Sequence, residues 1–120
     1  MAWSLTDNTR PWTTNAERTW HFRKRAEIVK ACRTRFYLLT KASSIPALRK
    51  VRIHAYPIAR DRRWRPDVGA CYPAVKAAVD GIVDAGVIPD DNDQYLTSIT
   101  FYAVQVEGFD GLRIVIEEDE

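Results

Sequence analysis

The sequence predicts an α+β fold in which two main helices pack on a single mixed sheet, in the order β-α-β-α-β-β. Two stretches repeat apolar residues at three- and four-residue steps, which is typical of amphipathic helices. Three others alternate apolar and polar residues, as half-buried strands do. The chain has 120 residues, of which 46% are apolar and 28% charged, so we expect one domain spanning residues 1–120 with a core that needs neither disulfides nor zinc.

In the first half of the chain, residues 2–5 are a candidate first strand. Thr14 and Glu17 match a capping box that begins a helix. The helix continues to a stop at Ser43, Ser44 and Pro46. Its predicted apolar stripe is Phe22, Ala26, Val29, Cys32, Phe36 and Leu39. Residues 51–56 then alternate as a strand, and the arginine-rich residues 59–66 that follow predict a loop.

In the second half, Pro73 suits the first turn of a helix and Gly86 its C-terminal cap, so the second helix is predicted over residues 73–85. Its core stripe is Val75, Val79, Ile82 and Val83. A face of small residues, Ala74, Ala77, Ala78 and Gly81, reflects either alanine helix propensity or a dimer contact. Residues 99–104 and 112–116 alternate as strands, which residues 108–111 are predicted to join as a hairpin.

The two cysteines and the hydropathy pattern indicate the compartment. Cys32 and Cys71 are isolated, without metal-ligand spacing, which favours a reducing, cytoplasmic environment. No apolar run approaches the ~20 residues that cross a bilayer, and no signal-peptide pattern opens the chain. We therefore expect a protein that is neither membrane-embedded nor secreted.

Charge is strongly segregated although the net charge is only +2. Residues 1–65 carry 16 Lys and Arg against 4 Asp and Glu, whereas residues 66–120 carry 2 against 12. One interpretation is two solvated faces; the other is a cationic surface for a polyanion beside carboxylates gathered for a metal. The candidate DNA-binding residues are Arg60, Arg62, Arg63, Trp64 and Arg65 in the loop, and Arg23, Lys24 and Arg25 in the first helix. Trp64 would either stack on an unpaired base or anchor the loop to the core.

The candidate chemistry involves Asp67 after the arginine loop, Lys76 in the second helix, and Asp90 and Asp91 in the turn beyond it. A strand end, a helix and a turn can converge on one point, and carboxylate oxygens are the ligands that Mg²⁺ prefers. Such a site hydrolyses phosphodiesters. The alternative is that Asp-Asp serves only the turn. Two other candidate groups, His21 and His54, are interpreted as packing or surface residues, and no phosphate-binding glycine loop is present.

Several of these residues resemble the RusA-type Holliday-junction resolvases, a family that includes phage-encoded endonucleases. The most specific stretch is residues 76–91, KAAVDGIVDAGVIPDD, which is similar to the family's pattern of a lysine, an aspartate four residues on, Ala-Gly at the helix end and a paired Asp-Asp. Upstream, the strand at 51–56, the arginine loop and Asp67 resemble the family's strand, basic run and first acidic motif. Pro11-Trp12 with Asn15 resembles its N-terminal segment.

The resemblance implies a RusA-like homodimer that nicks branched DNA symmetrically with Mg²⁺, or with Mn²⁺ in its place, during recombination, repair or phage replication. It implies catalytic roles for Asp67, Lys76 and Asp91, metal ligation by Asp67, Asp91 and Asp80, and support from Asp80 and Asp90. If the chain is phage-encoded, as in the similar actinobacterial-phage branch, the compartment is the host cytoplasm.

The chain departs from the family pattern in the first acidic motif. Gly69 and Ala70 stand where the family has its second aspartate and an asparagine, and three extra residues precede Lys76. One ligand is then missing unless another carboxylate replaces it, from among Asp80, Asp84, Asp90 and Asp93. Two alternatives therefore stand beside the endonuclease: a branched-DNA-binding protein that has lost part of its metal site, and a structural or partner-binding phage protein.

Overall fold

A computed structural model describes all 120 residues and contains one five-stranded mixed sheet and three helices. The elements are β1 (Ala2–Asp7), α1 (Thr14–Glu17), α2 (Phe22–Ala42), β2 (Val51–Ala59), α3 (Tyr72–Asp84), β3 (Leu96–Phe101), β4 (Gln105–Val106) and β5 (Gly111–Glu118). The predicted α+β class and single mixed sheet are confirmed. No helix in the chain combines the length and apolar character that a membrane crossing requires.

The strand order is β1-β5-β2-β3, and the short β4 pairs with the end of β2. β5 runs antiparallel to both β1 and β2, whereas β3 and β4 run parallel to β2. The connection from β2 to its parallel neighbour β3 passes through α3, as parallel pairing requires a crossover. The apolar residues of β2 and β5 that alternate inward, such as Ile53 and Ile114, are fully buried against α2 and α3.

The predicted hairpin between the last two long strands is wrong. β3 and β5 lie on opposite sides of β2, and β3 already ends at Phe101. The chain crosses the end of β2 through residues 107–110, where the Glu107 amide donates to the Ala59 carbonyl and the Arg60 amide donates to the Asp110 carboxylate. Alternation identifies a strand but carries no information about its partner strand. Gly108, with φ +83°, lies in this crossing loop and not in a hairpin turn.

The small-residue face of α3 is buried inside the protomer, so its interpretation as a dimer contact is wrong. Ala74, Ala77 and Ala78 are almost completely buried, and a Cβ at Gly81 would collide with the backbone carbonyl oxygen of Arg33 and lie 3.0 Å from the Tyr37 nitrogen. The small side chains let the backbones of α2 and α3 approach closely. Alanine propensity alone therefore does not explain this face either.

The first part of α2 departs from the predicted apolar stripe. Cys32 and Phe36 are buried as expected, but Phe22 and Ala26 are exposed because the first turns of α2 project beyond the core. The predicted continuous helix is also interrupted. Thr13, rather than Thr14, caps the four-residue α1, and the Glu17 carboxylate accepts from the Trp12 indole at 2.7 Å instead of closing a capping box.

Both cysteines are free and buried. Burial raises the pKa of the Cys32 thiol to about 12 and that of Cys71 to about 11. The reactive species of a cysteine is the thiolate, so both side chains act as core residues rather than nucleophiles.

Candidate active site

Lys76 is held between two carboxylates on the surface of α3. Its Nζ donates to Asp80 Oδ1 at 2.8 Å and to Asp91 Oδ2 at 2.5 Å. Asp80 lies four residues along the same helix, a spacing that places both side chains on one face. The three side chains are 42%, 29% and 26% exposed, in the order Lys76, Asp80 and Asp91, so water and a ligand can reach them. We call these three residues the Lys76 cluster.

The chain returns to this point because α3 ends sharply and the following segment is anchored. Gly86 has φ +90°, a conformation that favours glycine, and lies just past the helix end as its cap. Val87 and Ile88 are buried, and the Val87 carbonyl accepts from the Leu48 amide at 2.7 Å. These contacts hold the start of the acidic turn in place and bring Asp91 back to Lys76.

The electrostatics of the cluster favour a permanent cation beside an ionised carboxylate. The hydrogen bond from Lys76 holds the pKa of Asp91 below its ordinary value, against the opposing effect of partial burial. Partial burial also lowers the pKa of Lys76, but hydrogen bonds to Asp80 and Asp91 outweigh it and leave that pKa raised. Lys76 therefore remains protonated at neutral pH and can act as a charge but not as a general base.

Three other predicted carboxylates serve different roles or stand alone. Asp90 stabilises the turn itself, since its Oδ1 accepts from the Asp91 amide at 2.8 Å and its Oδ2 from the Asn92 side chain. Asp84 is held by the Arg33 guanidinium at 2.5 and 2.8 Å, which ties α3 to α2. Asp93 is exposed. Asp84 is thus already occupied and is a poor replacement ligand.

Asp67 lies exposed in the loop that precedes α3, and its side chain makes no hydrogen bond or ion pair. Its backbone carbonyl accepts from the Ala70 amide at 3.0 Å, which closes a tight turn containing Gly69 at φ +85°. Gly69 thus adopts a left-handed backbone conformation, in which a residue with a side chain would be strained. No three His, Cys, Asp or Glu side chains lie close enough together to hold a metal, so Asp67, Asp80 and Asp91 are not gathered as one set.

The chemistry of the Lys76 cluster nevertheless suits Mg²⁺. This ion commonly takes one or two protein carboxylates and completes its octahedron with water and substrate phosphate. Asp80 and Asp91 supply two carboxylates that already converge on one cationic group and remain partly exposed. Asp80 and Asp91 are therefore ligands of the type that Mg²⁺ takes, and because the oxygens that converge are bonded to the Lys76 ammonium, an ion would have to share or displace that contact.

The arginine loop is confirmed as irregular structure and is largely free of internal charge pairing. Arg62 and Arg65 are exposed and pair with no acidic side chain, and Arg63 pairs only with Asp61 of the same loop at 3.7 Å. Trp64 is half-buried, with the guanidinium of Arg10 4.7 Å from its ring centre. Arg10 is a residue that sequence reasoning missed, because its stacking depends on tertiary contact across more than fifty residues.

A second polar cluster, also missed, lies on the face of the sheet opposite the helices. His54 Nδ1 is hydrogen-bonded to the Tyr102 hydroxyl at 2.7 Å and its Nε2 lies 3.3 Å from Glu117, while the Tyr102 and Tyr56 rings stack at 4.3 Å. In the sequence, the alternation of residues 51–56 already places His54 and Tyr56 together on the outward face of the strand. Tyr102 fell on the polar side of the strand predicted over residues 99–104, but it lies just beyond the end of β3, and the sequence did not indicate which strand it would face.

No protein-family model matches this chain, and no curated protein matches it. Its class is therefore defined by the fold and side chains described above: an α+β protein whose helix α3 follows a cationic loop and presents a lysine between two aspartates.

Proposed function

We propose that the protein is a Mg²⁺-dependent, structure-specific DNA endonuclease of the Holliday-junction-resolvase type, to which its sequence motifs are similar. One observation carries the proposal: the Lys76 ammonium, on the helix that follows the arginine loop, contacts both Asp80 one turn further along that helix and Asp91 in the turn beyond it. That arrangement combines ligands for a divalent ion, a fixed cation for a phosphate and a basic surface for the DNA backbone.

Each part of this site has a separate task. Asp91 and Asp80 would hold Mg²⁺, with Asp67 a further candidate ligand on the adjoining loop. When bound, the ion supplies an activated water and neutralises charge on the scissile phosphate. Lys76, which stays protonated, donates to the developing negative charge on a phosphate oxygen. Breaking its contacts with the two aspartates requires a competing anion, which the substrate phosphate provides.

The arginine loop supports binding to the DNA backbone. Arg60, Arg62, Arg63 and Arg65 are all exposed. Of their guanidinium groups, only that of Arg63 pairs with an acidic side chain, a weak partner within the loop, whereas Arg60 contacts Asp110 through its backbone amide. An arginine without an acidic partner in the protein can bind phosphate without breaking an ion pair, and its planar guanidinium matches phosphate geometry. The loop therefore suits DNA held through its phosphates, and the branched form of that DNA is what the motif resemblance implies.

Symmetric nicking requires two sites related by a two-fold axis, so the functional unit is a homodimer. The small-residue face of α3 is already covered by α2, and β5 is an internal strand. Of the last two long strands, β3 has a free edge, and we assign the contact to that edge. A sedimentation measurement at tens of micromolar tests this, and a monomer both with and without DNA would exclude it. The buried thiols suit the reducing cytoplasm in which we place the protein.

The test is incubation of end-labelled four-way, flap and linear DNA with the protein, with and without Mg²⁺ or Mn²⁺. We expect metal-dependent nicking of the branched forms. Asp91→Asn and Asp67→Asn should still bind but fail to cut, because phosphate contacts come from the basic half of the chain. Asp93→Asn, an exposed aspartate in the same turn, is the matched control and should cut normally. Wild-type cutting by Asp91→Asn would refute the site assignment.

The second candidate is a branched-DNA-binding protein without cleavage activity. It is favoured by the left-handed Gly69 at the position of a missing aspartate and by the absence of a group of three metal-binding side chains. The same experiment separates the two functions, because tight, junction-selective binding without nicking in either metal would support the binding protein.

A further inference from the structure

The first turn of α2 presents an exposed aromatic ring surrounded by unpaired cations. Phe22 is 65% exposed, although later apolar residues of the same helix are fully buried. The next three residues, Arg23, Lys24 and Arg25, are exposed and form no ion pair. The Phe22 ring centre lies 4.4 Å from that of His21 and 5.8 Å from the Arg23 guanidinium, so an exposed aromatic ring and three cations without acidic partners occupy one end of a helix.

This helix start is firmly anchored from beneath. His21 caps α2, with its Nδ1 accepting from the Arg23 amide at 3.2 Å. Trp20 packs against the buried Trp12 with 6.1 Å between ring centres, and the Lys24 ammonium lies 5.3 Å from the Trp20 ring. Phe22 therefore projects from a fixed base rather than from a loose terminus.

The helix dipole does not account for the basic side chains at this position. The N-terminus of a helix is its positive end, where acidic residues are favourable and basic ones unfavourable. The first turn of α2 contains no acidic residue. A bound phosphate would offset this unfavourable charge, because both the cations and the helix N-terminus attract it. A nucleobase stacked on Phe22 would remove its ring from water.

The helix start and the arginine loop are joined by one packed segment. Residues 8–21, which lead into α2, contact the loop through Arg10 over the Trp64 ring. Further along, the Thr14 amide donates to the Ala70 carbonyl at 2.9 Å. The aromatic start of α2 is thus structurally continuous with the proposed DNA-binding loop.

We propose that Phe22 is a wedge that stacks against a base at the branch point of DNA, while Arg23, Lys24 and Arg25 contact the flanking phosphates. Apolar side chains inserted at base steps unstack and bend DNA in this way, and a branch point is cheaper to open than a continuous duplex. The inference rests on branched DNA being the ligand, as proposed above, but not on cleavage. Phe22 thereby supplies selectivity for branched over linear DNA, and the arginine loop supplies affinity for DNA of any structure.

The experiment measures metal-free binding to a four-way junction carrying 2-aminopurine at the branch point, with a linear duplex of equal length as the comparison. Wild-type protein should raise the 2-aminopurine fluorescence as the base unstacks. Phe22→Ala should lose that rise and about tenfold of the junction affinity, with little change for the duplex. Phe22→Trp should restore both.

Leu38→Ala is the matched control, because Leu38 is 58% exposed on the same helix but lies outside the basic turn. It should bind as wild type does. Junction binding and fluorescence unchanged by Phe22→Ala would overturn the wedge while leaving the endonuclease proposal intact. A change of sedimentation instead of DNA binding would assign Phe22 to a protein interface and also overturn it. Failure of wild-type protein to bind any DNA would overturn both proposals.

Discussion

Replacing Lys76 by methionine should cost little stability and most of the cleavage activity. The substitution keeps an unbranched side chain only one atom shorter but removes its charge, leaving Asp80 and Asp91 without the cation that both contact. Arg33→Met is the matched control, because the Arg33–Asp84 pair involves the same helix α3 and has similar exposure, 48% and 37%. The control pair has no proposed part in catalysis.

The expected magnitudes follow from the geometry and exposure of the pairs. A helical pair at i and i+4 such as Lys76–Asp80 contributes about 0.3–0.5 kcal/mol, and a partly exposed pair such as Lys76–Asp91 about 0.2–1 kcal/mol. Lys76→Met should therefore lower the free energy of unfolding by about 1 kcal/mol, and Arg33→Met by a similar amount. Loss of a group that stabilises transition-state charge costs about 10²-fold or more in rate.

Urea unfolding and single-turnover cleavage of a four-way junction measure the two effects separately. The prediction is equal stability loss in the two variants, with slow cleavage in Lys76→Met alone. Wild-type cleavage by Lys76→Met would refute the assigned role. A stability loss of several kcal/mol would instead show that the cluster is structural, because exposed ion pairs do not contribute that much.

Three further predictions concern packing, pH and salt. Gly81→Ala should lower the free energy of unfolding in urea by about 1–2 kcal/mol, because crowding of the α2 backbone exceeds the gain in helix propensity. Lys76 lowers the pKa of Asp91, so the ionised carboxylate stabilises the fold above about pH 4 and loses this contribution as the pH falls through its folded pKa. In Lys76→Met, the free energy of unfolding should therefore fall less steeply with acid when it is measured between pH 5 and 2. The double variant Arg62→Ala/Arg63→Ala should shallow the slope of log affinity against log salt by up to about two units, and an unchanged slope would exclude these phosphate contacts.

Local patterns in the sequence predicted the elements but not all of their partners. The bounds of α3 followed from Pro73 and Gly86, which act within one turn of the chain. The partner of β3 depended on which side of β2 the chain passed, and no local residue encodes that choice. Phe22 and Ala26 fit a helical stripe, yet the end of a helix that extends past the sheet has nothing to pack against.

In the candidate site, too, local contacts could be predicted from the sequence, and long-range ones could not be predicted from local patterns alone. The Lys76–Asp80 contact could be predicted, because four residues on a helix span one turn. The approach of Asp91 was expected from the resemblance and from convergence of element ends, and its contact with Lys76 is present. The predicted metal role of Asp67 stays a prediction. Its position depends on the loop geometry around Gly69, which the sequence alone did not reveal.

The most direct test of the central claim is whether wild-type protein cuts a four-way junction labelled on each strand in turn. We predict paired nicks at symmetric positions on opposite strands, present with Mg²⁺ or Mn²⁺ and absent with a chelator. A junction that is bound yet remains intact in both metals, at protein concentrations that saturate binding, would contradict the endonuclease assignment.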